Sequence, residues 1–253
     1  ATTTAEIAAR TAAATARTIS DLTTLTVTGN KDVTVTAGSK DKALATVTAT
    51  DFTGTNFTVT ATASDVAMTV AAAGAYKATV TTGDGADKVT VGDGGTLEQN
   101  IVTTGKGNDT ITSGSGADTI SASAGNNTID SGAGDDGITT GIGADTITSG
   151  AGNDTIDASS GANKVTAGEG DDSVTTTTGA DSVDGGAGND TIDVGAGNDT
   201  VIGGDGNDNI TAGSGSDTVS AGAGNDTITA GTGDDTIDGG AGNDNITVTT
   251  LSN

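Results

Sequence analysis

Residues 185–211 read GGAGNDTIDVGAGNDTVIGGDGNDNIT, three nonapeptides with Gly at the second and fourth positions (the second unit opening Val194-Gly195), Asp at the sixth and Ile or Val at the eighth. The same frame runs without insertion from TGKGNDTIT (104–112) to GGAGNDNIT (239–247), sixteen units in all. The fourth position is Gly and the eighth is Ile or Val in every unit. The second is Gly in thirteen, the exceptions being Ser123, Ser159 and Thr177, and the sixth is Asp in fourteen, the exceptions being Asn127 and Asn163. Self-similarity at a fixed short period marks a repeat architecture in which each unit buries its apolar face on its neighbours.

One apolar residue in nine cannot form an amphipathic helix, which needs three or four per two turns. It can form a solenoid. A short strand over positions seven to nine turns the eighth residue inward and the Thr or Ser on either side outward. Gly at two and four supplies positive φ angles and close backbone packing, so that carbonyl oxygens converge, and Asp at six sends a carboxylate to the same place. If two units complete a coil, loops eighteen residues apart stack at about 4.8 Å. Carboxylates stacked that closely repel unless a cation lies between them, and hard carboxylate and carbonyl oxygens suit Ca²⁺ better than a transition metal or the strictly octahedral Mg²⁺. The competing reading, in which Asp only shapes a solvated turn, does not explain sixteen units in one register. A phosphate loop would need a following helix and a Lys that the pattern lacks.

Working outward, Gly83, Gly85, Asp87 and Val89 form one further unit, while 95–103 is degenerate, with Asn100 and Val102 alone in register and four extra residues between the two. Composition changes near Gly83. Residues 1–82 hold four of the 42 glycines and equal numbers of acidic and basic residues, so 83–253 carry the whole net charge of -25. Three segments are therefore expected: a helix over 1–20, where TAEIAARTAAATARTI is rich in Ala; irregular Thr/Val strands over 21–82 (TLTVTG, DVTVTAG, LATVTAT, FTVTATA, AMTVAAA, KATVTTG), read as early solenoid coils with a small β-sandwich as the alternative; and the repeat roll over 83–253. The fold class expected is all-β, a parallel β-roll or β-solenoid with an irregular N-terminal solenoid portion and a short N-terminal helix.

The units at 185–193 and 203–211 closely resemble the RTX family nonapeptide G-G-x-G-x-D-x-U-x, a resemblance that covers about 83–247. It implies a parallel β-roll, multiple Ca²⁺ ions, extracellular location, export through a one-step channel in the unfolded state and folding on external calcium. Carried over by position, the metal ligands would be Asp109, Asp118, Asp136, Asp145, Asp154, Asp172, Asp181, Asp190, Asp199, Asp208, Asp217, Asp226, Asp235 and Asp244, with Asp87 a weaker candidate. The sequence departs from the family after TVTTLSN, where a longer non-repeat export segment is usual.

The absence of His and Cys from the sequence removes the common triads and thiolate or imidazole metal sites. A net charge of -25 disfavours nucleic acid and anionic membranes, and no apolar run approaches a membrane span. The expectation is a non-enzymatic, secreted structural protein that self-assembles into a surface layer, filament or matrix, with a cell-surface glycan as a further partner. The alternatives are an adhesin or ice-binding module using its outward Thr rows, interrupted at Asp130, Asp157, Asp184, Asp193 and Asp238 and by Lys164 and Ile202, and the secretion and folding module of a larger toxin or hydrolase.

A two-unit coil also sorts the exceptions. Alternate units share an edge of the roll, and Asn127, Asn163, Ser123, Ser159 and Thr177 all fall on one edge, while the other keeps Asp from Asp118 to Asp244. Seven complete inter-loop gaps are expected on the intact edge and three on the other, with weaker binding in the four gaps beside an Asn.

Overall fold

The computed structural model describes residues 4–9, 23–29, 32–36, 44–52, 55–62, 66–74, 76–93 and 99–249. Among the described residues there are strands and no helix, and the strands pair in parallel. The chain divides into two compact units, Ala1–Gly132 and Ala133–Asn253, and each is a parallel β-solenoid whose successive strands alternate between two sheets.

In the first unit one sheet runs in the order β1 (Thr4–Ala9), β2 (Thr24–Gly29), β4 (Thr46–Phe52), β6 (Thr69–Gly74), β8 (Lys88–Asp93), β10 (Thr110–Thr112) and β12 (Thr128–Ala133). The other runs β3 (Val33–Thr36), β5 (Asn56–Thr60), β7 (Lys77–Thr81), β9 (Ile101–Thr104) and β11 (Thr119–Ala122). The Thr/Val runs are thus coils of a solenoid, and their parallel pairing excludes a hairpin-built sandwich. Register shows early coils of irregular length, from Thr69↔Lys88 to Val33↔Phe57, which give way to a regular eighteen-residue coil once Thr110 pairs with Thr128. The 22-residue step from β8 to β10 absorbs the four extra residues seen in the sequence.

The expected N-terminal helix is a correction. Thr4–Ala9 is β1, paired in parallel with β2 from Thr4↔Thr24 to Ala9↔Gly29. Alanine favours a helix only weakly once nucleation is charged against a short segment, whereas a waiting sheet edge offers a hydrogen-bond ladder at once. Residues 1–3 and 10–20, the rest of that expectation, lie outside the described residues.

In the second unit one sheet runs β14 (Thr146–Ala151), β16 (Lys164–Glu169), β18 (Ser182–Ala187), β20 (Thr200–Asp205), β22 (Thr218–Ala223) and β24 (Thr236–Asp238). The other runs β13 (Gly137–Thr139), β15 (Thr155–Ser160), β17 (Ser173–Thr178), β19 (Thr191–Asp193), β21 (Asn209–Thr211), β23 (Thr227–Gly231) and β25 (Asn245–Val248). The register steps by eighteen residues from coil to coil, as in Thr146↔Lys164 and Ser182↔Thr200.

The eighth-position residues form the expected inward column: Ile147, Val165, Val183 and Val201 are each 1% exposed. A second buried column, not expected, stands at position one. There Ala158, Ala167, Val194, Ala212, Ala221 and Ala230 are buried, as are the polar Ser113, Ser131, Thr140, Ser149 and Thr176. Several strands are longer than three residues because they continue past position nine: β14, β16 and β18 each carry a buried residue at their second and fourth places. A buried hydroxyl needs a partner, and four of these donate to a carbonyl one coil on: Ser113 Oγ to Ser131 O (3.0 Å), Thr140 Oγ1 to Ala158 O (3.1 Å), Ser149 Oγ to Ala167 O (2.8 Å) and Thr176 Oγ1 to Val194 O (2.9 Å). The coils are therefore filled by two small columns, and burial fades at the last ones, where Ile246 and Val248 are 44% and 60% exposed.

Candidate metal-binding loops

Between the strands, positions two to six turn the chain, and at position four the backbone is open only to glycine. Gly206 has φ +136°, and a Cβ on it would run into the Gly188 carbonyl of the preceding coil. Conformation and stacking thus demand the same residue.

The sixth-position side chains stack into files on the two edges. In the second unit one edge carries Asp136, Asp154, Asp172, Asp190, Asp208, Asp226 and Asp244, and the other Asp145, Asn163, Asp181, Asp199, Asp217 and Asp235. Those from Asp136 to Asp226 are at most 2% exposed, while Asp235 and Asp244 are half-buried. Each file is threaded by one bond per step, the backbone N–H of one aspartate donating to Oδ1 of the next: Asp136 to Asp154 (2.8 Å), Asp154 to Asp172 (2.8 Å), Asp190 to Asp208 (2.9 Å), and Asp226 to Asp244 (3.1 Å). The other edge repeats it from Asp181 to Asp199 (2.8 Å) and Asp217 to Asp235 (3.0 Å). In the first unit Met68 N–H donates to Asp87 (2.7 Å), Asp87 to Asp109 (2.8 Å), and Asn100 to Asp118 (2.7 Å). All fifteen expected residues thus stand in the files, Asp87 included. Asn100, which the sequence placed in register without a role, is a rung as well: it is fully buried and accepts the Ala78 N–H on Oδ1 (3.0 Å).

The second carboxylate oxygen is the chemically significant one. At Asp109, Asp172, Asp181, Asp190, Asp199, Asp208, Asp217 and Asp226, Oδ2 is buried and meets no hydrogen-bond donor. An unpaired buried carboxylate oxygen costs several kcal/mol unless something positive faces it. At Gly185 the surroundings are explicit: a Cβ added there would lie 2.5 Å from Asp190 Oδ2 and 2.7 Å from the Gly203 carbonyl oxygen of the next coil. At Gly203 the same space is bounded by Asp208 Oδ2 and the Ala221 carbonyl. Carboxylate and carbonyl oxygens of adjacent coils converge on a space free of side chain, a donor set that fits a hard cation such as Ca²⁺. Among the described residues no three acidic side chains gather as a cluster, so an ion here would draw on carbonyls as much as on carboxylates.

The electrostatics agree. Burial, the largest cause, pushes the carboxyl of Asp172 up to about 7 and those of Asp190 and Asp199 up to about 6. Asp87, Asp118, Asp154, Asp208 and Asp217 are raised as well, again chiefly by burial. Neighbouring aspartates of the file add to the rise at Asp172, Asp190 and Asp199. The files favour protonation or a cation over bare charge.

Position five, given no part by sequence reasoning, adds an outer ladder on the intact edge. Asn153 N–H donates to Asp135 Oδ1 (2.8 Å), Asp171 to Asn153 (2.8 Å), Asn189 to Asp171 (2.7 Å), Asn207 to Asn189 (2.9 Å), Asn225 to Asn207 (2.7 Å) and Asn243 to Asn225 (2.9 Å). These bonds run opposite in direction to those of the inner file. The signal was present: every fifth position on that edge from 135 to 243 is Asn or Asp, whereas the other edge has Ala144, Ala162 and Ala180.

Stacked Gly-Asp loops on a parallel β-solenoid define a β-roll of the calcium-binding class. The family comparison is in accord: residues 103–138, 139–174, 175–210 and 211–246, more than half the chain, match the RTX calcium-binding nonapeptide repeat. The chain belongs to that family. No curated protein matches it.

Proposed function

We propose that this protein is a secreted, calcium-folded structural protein that assembles with copies of itself at or outside the cell surface. The observation that carries the reading is the file of buried Oδ2 atoms without donors, because it makes cation binding a condition of stacking one coil on the next. Ca²⁺ held by the aspartates and loop carbonyls would supply charge neutralisation and cross-coil ligation. The chain's own atoms supply the rest: position-eight and position-one side chains exclude water, and the Oδ1 bonds fix each carboxylate's orientation.

Assembly is supported by charge. A chain at -25 repels its copies; about ten bound Ca²⁺ would add about +20 and remove most of that repulsion. The outer edge of β25, with Ile246 and Val248 exposed, is a strand edge that a second copy or a following stretch of chain would pair. Electron microscopy and sedimentation of the purified protein with millimolar calcium and with chelator test the reading. Ordered polymers that form with calcium and dissolve in chelator support it, and a calcium-bound monomer at all concentrations overturns the assembly part.

A further inference from the structure

The two loops with Asn at position six also have Ser at position two, and only these loops combine the changes: Ser123 with Asn127, and Ser159 with Asn163. In each, the side chains do something the aspartate loops cannot. Asn127 Oδ1 accepts the Asp109 N–H (3.1 Å) and Asn163 Oδ1 accepts the Asp145 N–H (3.0 Å), so the rung of the inner file is kept. Those accepted bonds also fix the amide orientation, since a flipped amide would set N–H against N–H. Nδ2 then points into the loop. At Asn127 it donates to the Ser123 and Gly125 carbonyls, both at 3.2 Å, and at Asn163 to the Gly161 carbonyl at 3.2 Å.

The serines close the gap from the other side. Ser123 Oγ donates to Thr104 O (3.2 Å) and Ser159 Oγ to Thr140 O (2.8 Å), each the position-one carbonyl of the preceding coil. Ser159 holds this place at φ +52°, with its N–H on Asp157 Oδ1 (3.0 Å), where the β15–β17 register breaks. A left-handed non-glycine backbone is costly and persists only where its surroundings hold it.

We infer that these two loops are ion-free rungs: the Asn amide and the Ser hydroxyl supply internally the positive groups that Ca²⁺ supplies to the aspartate loops. The inference rests on the calcium reading above and adds a division of labour to it. In the later aspartate loops, those of Asp172, Asp181, Asp190, Asp199, Asp208, Asp217 and Asp226, the period sets Oδ2 where Nδ2 stands here, so carboxylate and carbonyl oxygens face one another with no donor among them. In the Asn loops the carbonyls are already satisfied, and N–H groups aimed at them repel a cation from the same space. The gaps between loops 104–109 and 122–127, and between 140–145 and 158–163, are therefore each bridged by a protein hydroxyl, Ser123 or Ser159, with Asp109 Oδ2 still unpartnered at the first, and these coils stay together at calcium levels too low to stack the rest.

The test uses the whole protein. Anomalous diffraction from the calcium-loaded wild type is expected to give ion peaks between loops of the Asp154–Asp226 file and none beside Asn127 Nδ2 or Asn163 Nδ2. Native mass spectrometry is expected to show more bound calcium in Ser123→Gly/Asn127→Asp/Ser159→Gly/Asn163→Asp, by at least one ion per restored loop, with Thr177→Gly unchanged. In wild-type protein at sub-saturating calcium, backbone amides of 104–128 and 140–164 are expected to exchange about tenfold more slowly than those of 199–235. An ion peak beside either amide, or uniform exchange along the roll, overturns the inference even if the quadruple variant fails to fold. Absence of ions everywhere would instead overturn the calcium reading on which it rests.

Discussion

Gly206 and Asp172 show how single residues carry the roll. At Gly206 the φ of +136° and the Gly188 carbonyl against its Cα leave no room for a methyl group, so Gly206→Ala combines backbone strain with overpacking. The expected loss is about 3 kcal/mol, read by chemical denaturation in saturating calcium. Asp172 shows the electrostatic side. Its carboxyl, pushed up to about 7 by burial, binds a proton in the folded state at pH values where the unfolded chain, near 3.8, has released it. The stability gained from that proton is fully present below about pH 4 and is lost as pH rises through about 6 to 7, the range set by Asp172, Asp190 and Asp199. Chelated protein is therefore expected to gain β structure on acidification from about pH 8 to about pH 5, as circular dichroism would record, while apparent calcium affinity falls over the same range. A β signal in chelator that grows with rising pH would contradict the buried-carboxylate picture. Proton and calcium compete for one oxygen file.

Each nonapeptide has two inward places, positions eight and one. Ile192 is 1% exposed at position eight and Ile202, at position nine, is 45% exposed. Ile192→Ala is expected to cost about 2–5 kcal/mol through the cavity left in a one-residue-wide column, and Ile202→Ala less than about 0.5 kcal/mol, in the same calcium-loaded denaturation experiment. Position eight was legible in the sequence because its residue is always Ile or Val, and the loop glycines and aspartates because backbone strain and charge allow almost nothing else. Position one was not legible. Gly, Ala, Ser, Thr and Val all occur there, since a narrow interior accepts any small side chain whose hydroxyl can reach a carbonyl such as Ala167 O. The N-terminal segment failed for the opposite reason: TAEIAA has a real helix propensity, and the strand that decides its conformation, Thr24–Gly29, lies further along the chain, beyond any local window. The asymmetry between edges was legible at positions two and six, but its chemistry was not, because only the geometry shows Asn163 Nδ2 turned onto the Gly161 carbonyl.

For the whole molecule the balance is between little apolar burial and much charge. With 32% hydrophobic residues, nearly half of them alanine, and 1% aromatic, burial at ~25 cal/mol per Å² does not offset ordering costs of ~1–2 kcal/mol per residue together with the repulsion within two carboxylate files. Ion binding and folding are accordingly one equilibrium. Calcium should also raise association, so the sedimentation coefficient is expected to increase with calcium at fixed protein concentration and to fall again with chelator, whereas monovalent salt at equal ionic strength only screens and should not reproduce the effect. The most direct measurement is far-UV circular dichroism at about pH 7.5, above the range in which the buried carboxyls take up protons, during titration of chelated protein with calcium. The β spectrum is expected to be largely absent in chelator and to appear cooperatively as calcium is added; a full β spectrum in chelator, unchanged by calcium, would contradict the claim that the carboxylate files require a cation to stack.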